Sequence, residues 1–352
     1  MIKSFFEKIA DPKNNDLNII VEMSGNHQNS LSKAIEFVKA AILNGADIVK
    51  FQVYRPDTIT LKSSFADFAI EKKNPWSKYN NLYNLYDKAH TPWSWIEELV
   101  KICENNNQPW FASVFDHSSV DFLQKLNCPA YKIASPEITD IPLIEKVSLT
   151  KKPIILSTGL AKLSDIQLAV KTIKKKHSKF IILKCTSDYP ADYRNLNLNS
   201  IQTIKKIFKC SVGFSDHTIG DLAAQVSVAL GATLIEKHFI LDGDRKSIDR
   251  HFSMKISQIG DFKKKLKETR ECLGEKKIML SKNANLNGRR SLYIVNDILP
   301  GECFTHKNTK SIRPSFGLHP KYFSSIIGKK AKKKIEAGTR VTKKLIENLK
   351  KI

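Results

Sequence analysis

The sequence predicts an α/β protein: a (β/α)8 TIM barrel followed by a small C-terminal unit. Three observations carry this. Eight short β-branched runs alternate with amphipathic stretches over about 240 residues, as parallel strands with crossover helices require. Nearly every run starts apolar and ends in groups able to do chemistry. Past residue 289 the pattern changes to short, dense turns.

The runs, in order, are IIVEMSG from Ile19, IVKFQVY from Ile48, PWFASVFD from Pro109, AYKIASPE from Ala130, PIILSTG from Pro153, FIILKCTS from Phe180, CSVGFSDH from Cys210 and TLIEKHFI from Thr233. Helical periodicity lies between them. The segment 30–45 has Ser30 as a candidate N-cap and Gly45 just past its end. After the second strand comes a long, aromatic-rich connection (residues 55–92) with Phe65, Phe68, Trp76, Tyr79, Tyr83 and Tyr86. A loop of that length at a barrel rim reads as a substrate lid or as an extra helix packed through its aromatics. A doubly wound open sheet is the other fold compatible with alternation, but neither G-x-G-x-x-G nor a Walker A motif occurs. The expected boundaries are 1–275 for the barrel, 276–288 for a polar linker and 289–352 for the tail. The tail's small size suggests that it leans on a neighbouring barrel.

Composition narrows the function classes. Of 352 residues, 58 are Lys or Arg and 35 are Asp or Glu, a net charge of +23. The lysines are scattered, and even KKAKKK (329–334) reads as a solvated face, so neither nucleic acid nor membrane is the expected partner. A basic field does attract small anions. The N-terminus meets Glu7 and Asp11 before any long apolar stretch, unlike a signal peptide. The six cysteines form no CxxC, which suits reduced thiols in a cytoplasm.

Strand ends carry the candidate chemistry. The pairs Lys50/Gln52, Ser215/His217 and Glu236/His238 are two apart, so each shares one face of its strand. His217 and His238, on consecutive strands, are either ligands of one divalent cation or structural imidazoles. Lys50, Lys132 and Lys184 are expected to converge with Ser113, Ser135 and Ser215. That set suits a phosphate or carboxylate, or alternatively a Schiff-base lysine as in an aldolase. Glu22, Glu137 and Glu236 are candidate acids, bases or orienting groups.

The motifs VEMSGNH, DIVKFQVY, YKIASPEITDIPLI, ILSTGLA, LKCTSDYP, GFSDHTIG and GATLIEKHF resemble those of the sialic acid synthase family. The tail segments RRSLYIVNDILPGE and KSIRPSFGLHPKY resemble its antifreeze-like (SAF) domain. LYNLYDKAHTPWSW and RPSFGLHPKY are most similar to the pseudaminic acid branch, with the N-acetylneuraminate and legionaminic acid branches as alternatives. The resemblance implies condensation of phosphoenolpyruvate with a 6-deoxy diacetamido hexose, by metal-assisted C–C bond formation and C–O cleavage. It implies His217 and His238 as ligands of Mn2+ or Mg2+. Lys50, Ser113, Lys132, Ser135 and Ser215 would hold phosphoenolpyruvate, with Gln52 beside them. Glu22, Tyr189 and Asp249 would face the acceptor or support the site, and Glu137, Ser157 and Glu236 would belong to it in less defined roles. Arg313 would reach into the barrel of the partner subunit in a domain-swapped homodimer. Two departures from the family pattern are Gln28-Asn29 after the NH pair, and Arg250 and His251 beside Asp249.

Overall fold

A strand buried along its whole length needs cover on both faces. The strand Leu234–Ile240 is such a case, with all seven residues buried. The computed structural model describes residues 2–275 and 277–348; Met1, Lys276 and 349–352, which the expected boundaries include, lie outside the described residues. The chain divides into two compact units, Met1–Gly274 and Glu275–Ile352.

In the first unit eight strands pair in parallel and in sequence order: β1 (Asn18–Glu22), β2 (Ile48–Val53), β3 (Trp110–Val114), β4 (Tyr131–Ile133), β5 (Ile154–Ser157), β6 (Phe180–Cys185), β7 (Ser211–Asp216) and β8 (Leu234–Ile240). Pairing of β1 with β8 closes the barrel, and the short β9 (Met254–Lys255) adds to the end of β8. All eight runs expected from the sequence form these strands.

The helices are α1 (Ile2–Ile9), α2 (Leu31–Leu43), α3 (Pro56–Ile59), α4 (Leu82–Ala89), α5 (Trp93–Asn105), α6 (His117–Lys125), α7 (Ile141–Leu149), α8 (Leu163–Lys174), α9 (Ser200–Phe208), α10 (Leu222–Ala229) and α11 (Ile259–Leu273). Each crossover helix buries one apolar stripe, such as Ala34, Phe37, Val38 and Ala41 of α2. Ser30 does occupy the N-cap of α2, though without a side-chain cap bond, and Gly45 follows the C-cap with φ of +85°. Asp116, at the end of the third run, caps α6 by accepting from the Ser118 and Ser119 amides. α1 seats Phe6, fully buried, on Phe111 with ring centroids 5.5 Å apart.

The tail folds on β10 (Ser291–Ile294), antiparallel to β11 (Thr309–Ile312), with a short α12 (Phe323–Ile326). It has a core of its own, built on Leu292, Ile294, Ile298, Phe304, Ile335 and Val341. The lysines of 329–334 are exposed around buried Ala331, as a solvated face requires. All six cysteines are free. Among the described residues no helix is long and apolar enough to cross a membrane.

Gly213 sits at a tight point of the barrel. A Cβ there would lie 2.2 Å from the Leu234 carbonyl oxygen and 2.5 Å from Leu183. Gly213→Ala should therefore lower unfolding stability by at least the ~1–3 kcal/mol typical of overpacking, read as an earlier midpoint in a denaturant melt.

Candidate active site

Barrel closure aligns the strand ends in rows. Gln52, Ser113 and Lys132 are level on β2, β3 and β4. Cys185, Ser215 and Glu236 are level on β6, β7 and β8. Glu22 is level with both Lys50 and His238. Side chains level in a parallel sheet share a face, so groups far apart in sequence meet at one mouth of the barrel.

Their centre is Glu236. Its Oε1 accepts from Lys132 Nζ at 2.9 Å and from Ser215 Oγ at 3.1 Å, and lies 2.8 Å from Lys50 Nζ. Lys50 Nζ also lies 2.7 Å from Glu22 Oε2, while Glu22 Oε1 accepts the Ser24 amide at 2.8 Å. All four charged side chains are almost fully buried. Burial raises the Glu236 carboxyl, but the Lys132 and Lys50 ammonium groups outweigh it and hold Glu236 well below the usual carboxylate range. Lys50 is drawn downward by burial and, against the attraction of Glu236, by the Lys132 charge. Removing one partner from such a set leaves an uncompensated buried charge, at a cost of about 3–5 kcal/mol.

Lys184 does not join the cluster expected from the sequence. It alternates with Cys185, and its Nζ turns back to the Cys185 carbonyl at 2.5 Å and to Thr186 Oγ1 at 3.3 Å. It lines a separate cavity with Leu163 and Phe208.

The two histidines do meet. Their ring centroids are 5.4 Å apart. His217 Nδ1 lies 2.9 Å from the Thr186 carbonyl oxygen; that carbonyl makes Nδ1 the donor and leaves the Nε2 lone pair free. His238 Nδ1 faces the Asp249 carboxylate at 3.5 Å, and Asp249 accepts from Ser24 Oγ at 2.6 Å. A carbonyl or carboxylate behind each ring is what metal-binding imidazoles normally have. Burial takes His238 down to about 4 in spite of Asp249, so its ring is neutral and able to ligate near pH 7. For His217 burial is outweighed by Cys185 and the Thr186 carbonyl, so its pKa is raised. Among the described residues no third His, Cys, Asp or Glu completes a metal cluster with them. The pair fits a divalent cation whose other positions go to water and substrate oxygens.

Around the pair, Tyr189 packs tilted against His217 with centroids 4.3 Å apart, and Phe252 packs on His238 at 4.8 Å. Ser135 Oγ accepts the Gly159 amide at 2.9 Å. Ser157 Oγ is buried with no hydrogen-bond partner. Glu137, on a 3-10 turn (Pro136–Thr139), keeps a buried Oε2 without a partner. Burial pushes its carboxyl up to about 7, against its own backbone amide and the Lys132 charge. A carboxyl poised there can give or take a proton at neutral pH. Arg313 lies in the second unit and is exposed.

A cavity of about 470 Å3 opens over this floor. Its floor includes Ser24, Gln52, His238 and Asp249, and its roof comes from the aromatic connection, including Ile70, Trp76, Leu82 and Tyr86. The connection thus both packs through its aromatics and covers the site. Sequence reasoning did not single out Ser24, Tyr54 or Phe252 as lining residues. The first two sit inside motifs quoted for the family, but the sequence alone holds nothing that aims them. Asn26, in the same turn as Ser24, accepts the Asp249 amide at 3.1 Å and donates to the Phe239 carbonyl at 2.7 Å, fixing Asp249 beside His238. The departure at Gln28-Asn29 is accommodated with both residues at φ of +53°.

The NeuB family matches residues 37–278, and the SAF domain matches residues 289–347. The pseudaminic acid synthase of Campylobacter jejuni subsp. jejuni is 41% identical over 323 residues, 91% of this chain and 94% of its own. The pseudaminic acid synthase of Helicobacter pylori is 40% identical over 333 residues, 94% of this chain and 97% of its own. Among solved structures, the N-acetylneuraminic acid synthetase of Leptospira borgpetersenii in complex with citrate superposes with a TM-score of 0.67 at 30% identity, covering 76% of this chain and 88% of that one. The chain belongs to the NeuB family and carries a SAF domain at its C-terminal end.

Glu137 generates a pH prediction. Its folded pKa of about 7 lies above the ordinary 4.5. Its contribution to stability is therefore complete below about pH 4.5 and is lost as pH rises through 7. Urea melts between these limits should show stability falling with pH, and Glu137→Gln should flatten that slope.

Proposed function

We propose that this chain is a pseudaminic acid synthase, condensing phosphoenolpyruvate with the open-chain aldehyde of 2,4-diacetamido-2,4,6-trideoxy-altrose to give a nonulosonic acid and phosphate. The observation that carries the reading is the meeting of the Lys50–Glu236–Lys132 cluster with the His217/His238 pair on one barrel mouth. The high identity to two synthases of that name supports the choice of acceptor.

The cluster suits a phosphorylated carboxylic acid. Lys50 and Lys132 provide the charge, and Ser113, Ser135, Ser157 and Ser215 provide hydroxyls on neighbouring strand ends. Glu236 bridges the two ammonium groups and Glu22 takes the other side of Lys50, so both are aimed before the anion arrives. Their buried carboxylates compensate those charges without filling the donor capacity of either lysine. Gln52 lies between this subsite and the acceptor cavity. Tyr189 and Phe252 brace the imidazoles, while Ser24 and Asp249 line the acceptor side.

His217 and His238 would hold Mn2+ or Mg2+, which supplies Lewis-acid polarisation of the acceptor's aldehyde oxygen. The chain's own residues do the rest. The lysines and serines hold the enol phosphate so that its methylene carbon faces the aldehyde carbon. Fixing two reactants in this way is worth up to about 7–11 kcal/mol. Glu137, with a carboxyl near neutrality, is placed to take a proton from the water that adds to the former enol carbon, and Glu22 supports the site from β1. Phosphate then leaves by C–O cleavage, still held by Lys50 and Lys132. In this scheme no lysine becomes covalently attached; Lys50 and Lys132 serve as donors to their carboxylate partners and to the phosphate. We assign the protein to the cytoplasm and to a domain-swapped homodimer, in which Arg313 of one chain reaches the acceptor in the barrel of the other.

Phosphate release should require phosphoenolpyruvate together with the altrose, stop with EDTA and return with Mn2+. The legionaminic counterpart and N-acetylmannosamine should be poor acceptors. His217→Ala and His238→Ala should each lower kcat/KM by about 10²–10⁴, the equivalent of several kcal/mol of lost charge stabilisation. Full activity without metal would remove the two-histidine assignment. Arg313→Ala should raise the KM of the sugar and not that of phosphoenolpyruvate, and mixing it with His217→Ala should restore activity if sites are shared between chains.

A further inference from the structure

The cavity over His238 is chemically two-sided. Ser24, Gln52, His238 and Asp249 lie at the barrel floor. The opposite wall is Ala69, Ile70, Leu82, Leu85 and Ala89, with the ring of Tyr86. Besides the Tyr86 hydroxyl, this segment adds two polar side chains. Asn74 Oδ1 already accepts the Trp76 amide at 2.9 Å, and Glu71 is exposed at the solvent edge.

Trp76 fastens the wall across the cavity. Trp76 Nε1 donates to the Ile248 carbonyl at 3.2 Å, and its ring packs 5.4 Å from both Tyr189 and His251 and 6.5 Å from Phe252. His251 Nε2 in turn lies 3.2 Å from the Tyr189 carbonyl oxygen. His251, one of the departures from the family pattern, therefore has a place as part of the seat for Trp76. At the other end of the segment the turn after β1 leaves no slack: a Cβ on Gly25 would lie 3.2 Å from the Ala89 carbonyl oxygen.

We propose that the apolar wall of residues 69–89, held over the cavity by Trp76, selects an acceptor sugar whose far end is a methyl group and not a hydroxymethyl group. The inference rests on the synthase reading, which puts the aldehyde end at the histidines. A sugar chain that starts at the floor runs toward the opposite wall, and its last carbon meets Leu82, Leu85 and Ile70. A methyl there sheds water from apolar surface on both sides. A hydroxyl there loses its water partners and gains none from Ile70, Leu82 or Leu85. Because the wall is apolar, it discriminates only moderately against an added hydroxyl, by about tenfold to a hundredfold in kcat/KM. Leu82 and Leu85 are specificity-determining residues in this scheme, and Trp76 is a positioning residue.

The test compares 2,4-diacetamido-2,4,6-trideoxy-altrose with the same sugar carrying a 6-hydroxyl, read as phosphate release with the full-length, Mn2+-loaded enzyme. Wild type should prefer the deoxy sugar by the factor given above. Leu82→Asn, a change at a half-buried position, should bring the ratio close to one while the KM for phosphoenolpyruvate moves less than about twofold; Leu82→Val should keep the preference. Trp76→Ala should erode the ratio in the same direction, and Trp76→Phe, which keeps a ring in the seat, should retain most of it. A wild-type ratio near one, or an unchanged ratio in both Leu82→Asn and Trp76→Ala, overturns the wall. No release from wild type with either sugar overturns the synthase reading, and the wall with it.

Discussion

Two ammonium groups inside a barrel cannot stand without carboxylates, and most of the candidate site follows from how that requirement is met. Glu236 receives Lys50, Lys132 and Ser215 on one oxygen, and Glu22 takes the other side of Lys50. These contacts join β1, β2, β4, β7 and β8, so the charge cluster is as much a seam of the barrel as a binding site. In a buried setting the attraction is strong, but so is the desolvation it offsets. The net result is a set of cations held in place with little freedom, which is what recognition of a small dianion needs. A site of this kind is prepared before its ligand arrives, and binding then exchanges partners without having to order side chains.

The same economy of strands explains the histidine pair. Glu236 and His238 are two apart on β8, as Ser215 and His217 are on β7, so one face of each strand serves the anion cluster and then the imidazoles. The register that brings Glu22 level with Lys50 and His238 places acid, cation and imidazole on adjacent strands. The backing groups are of different origin. Thr186 supplies a backbone carbonyl from the end of β6, and Asp249 comes from the loop after β8, where Asn26 pins it. That loop and the turn after β1 are therefore coupled, and both meet the long connection that roofs the cavity. The roof, the floor and the imidazoles share aromatic contacts through Tyr189, Phe252 and Trp76. A change at the lid can thus be felt at the rings that would hold the cation.

Much of this was legible in the chain. The eight strands, their order and the pairs two residues apart follow from local pattern, since alternation between faces is a property of any extended segment. The separate character of the tail also shows in its turn density, and its ten-residue buried cluster accounts for that density. Lys184 is where local reasoning failed. FIILKC is apolar on both faces, so nothing in it tells which parity looks into the barrel. Closure put Cys185 level with Ser215 and Glu236, and that turned Lys184 to the other side. Asp116 was equally ambiguous: a carboxylate after a strand is a rim residue or a helix cap, and the Ser118 and Ser119 amides decided for the cap.

By itself the sequence determined the repeating strand–helix alternation, the residues available at the strand ends and the family motifs they compose, because each depends on neighbours within a few positions. Only the tertiary structure decided that Glu236 is the common partner of two lysines, that Glu137 sits in a dry pocket with its carboxyl raised to about 7, and that a segment ending at Ala89 roofs a cavity floored by Asp249. Each of these depends on distance and desolvation between groups up to more than a hundred residues apart. Such quantities come into being only when the last strand pairs with the first.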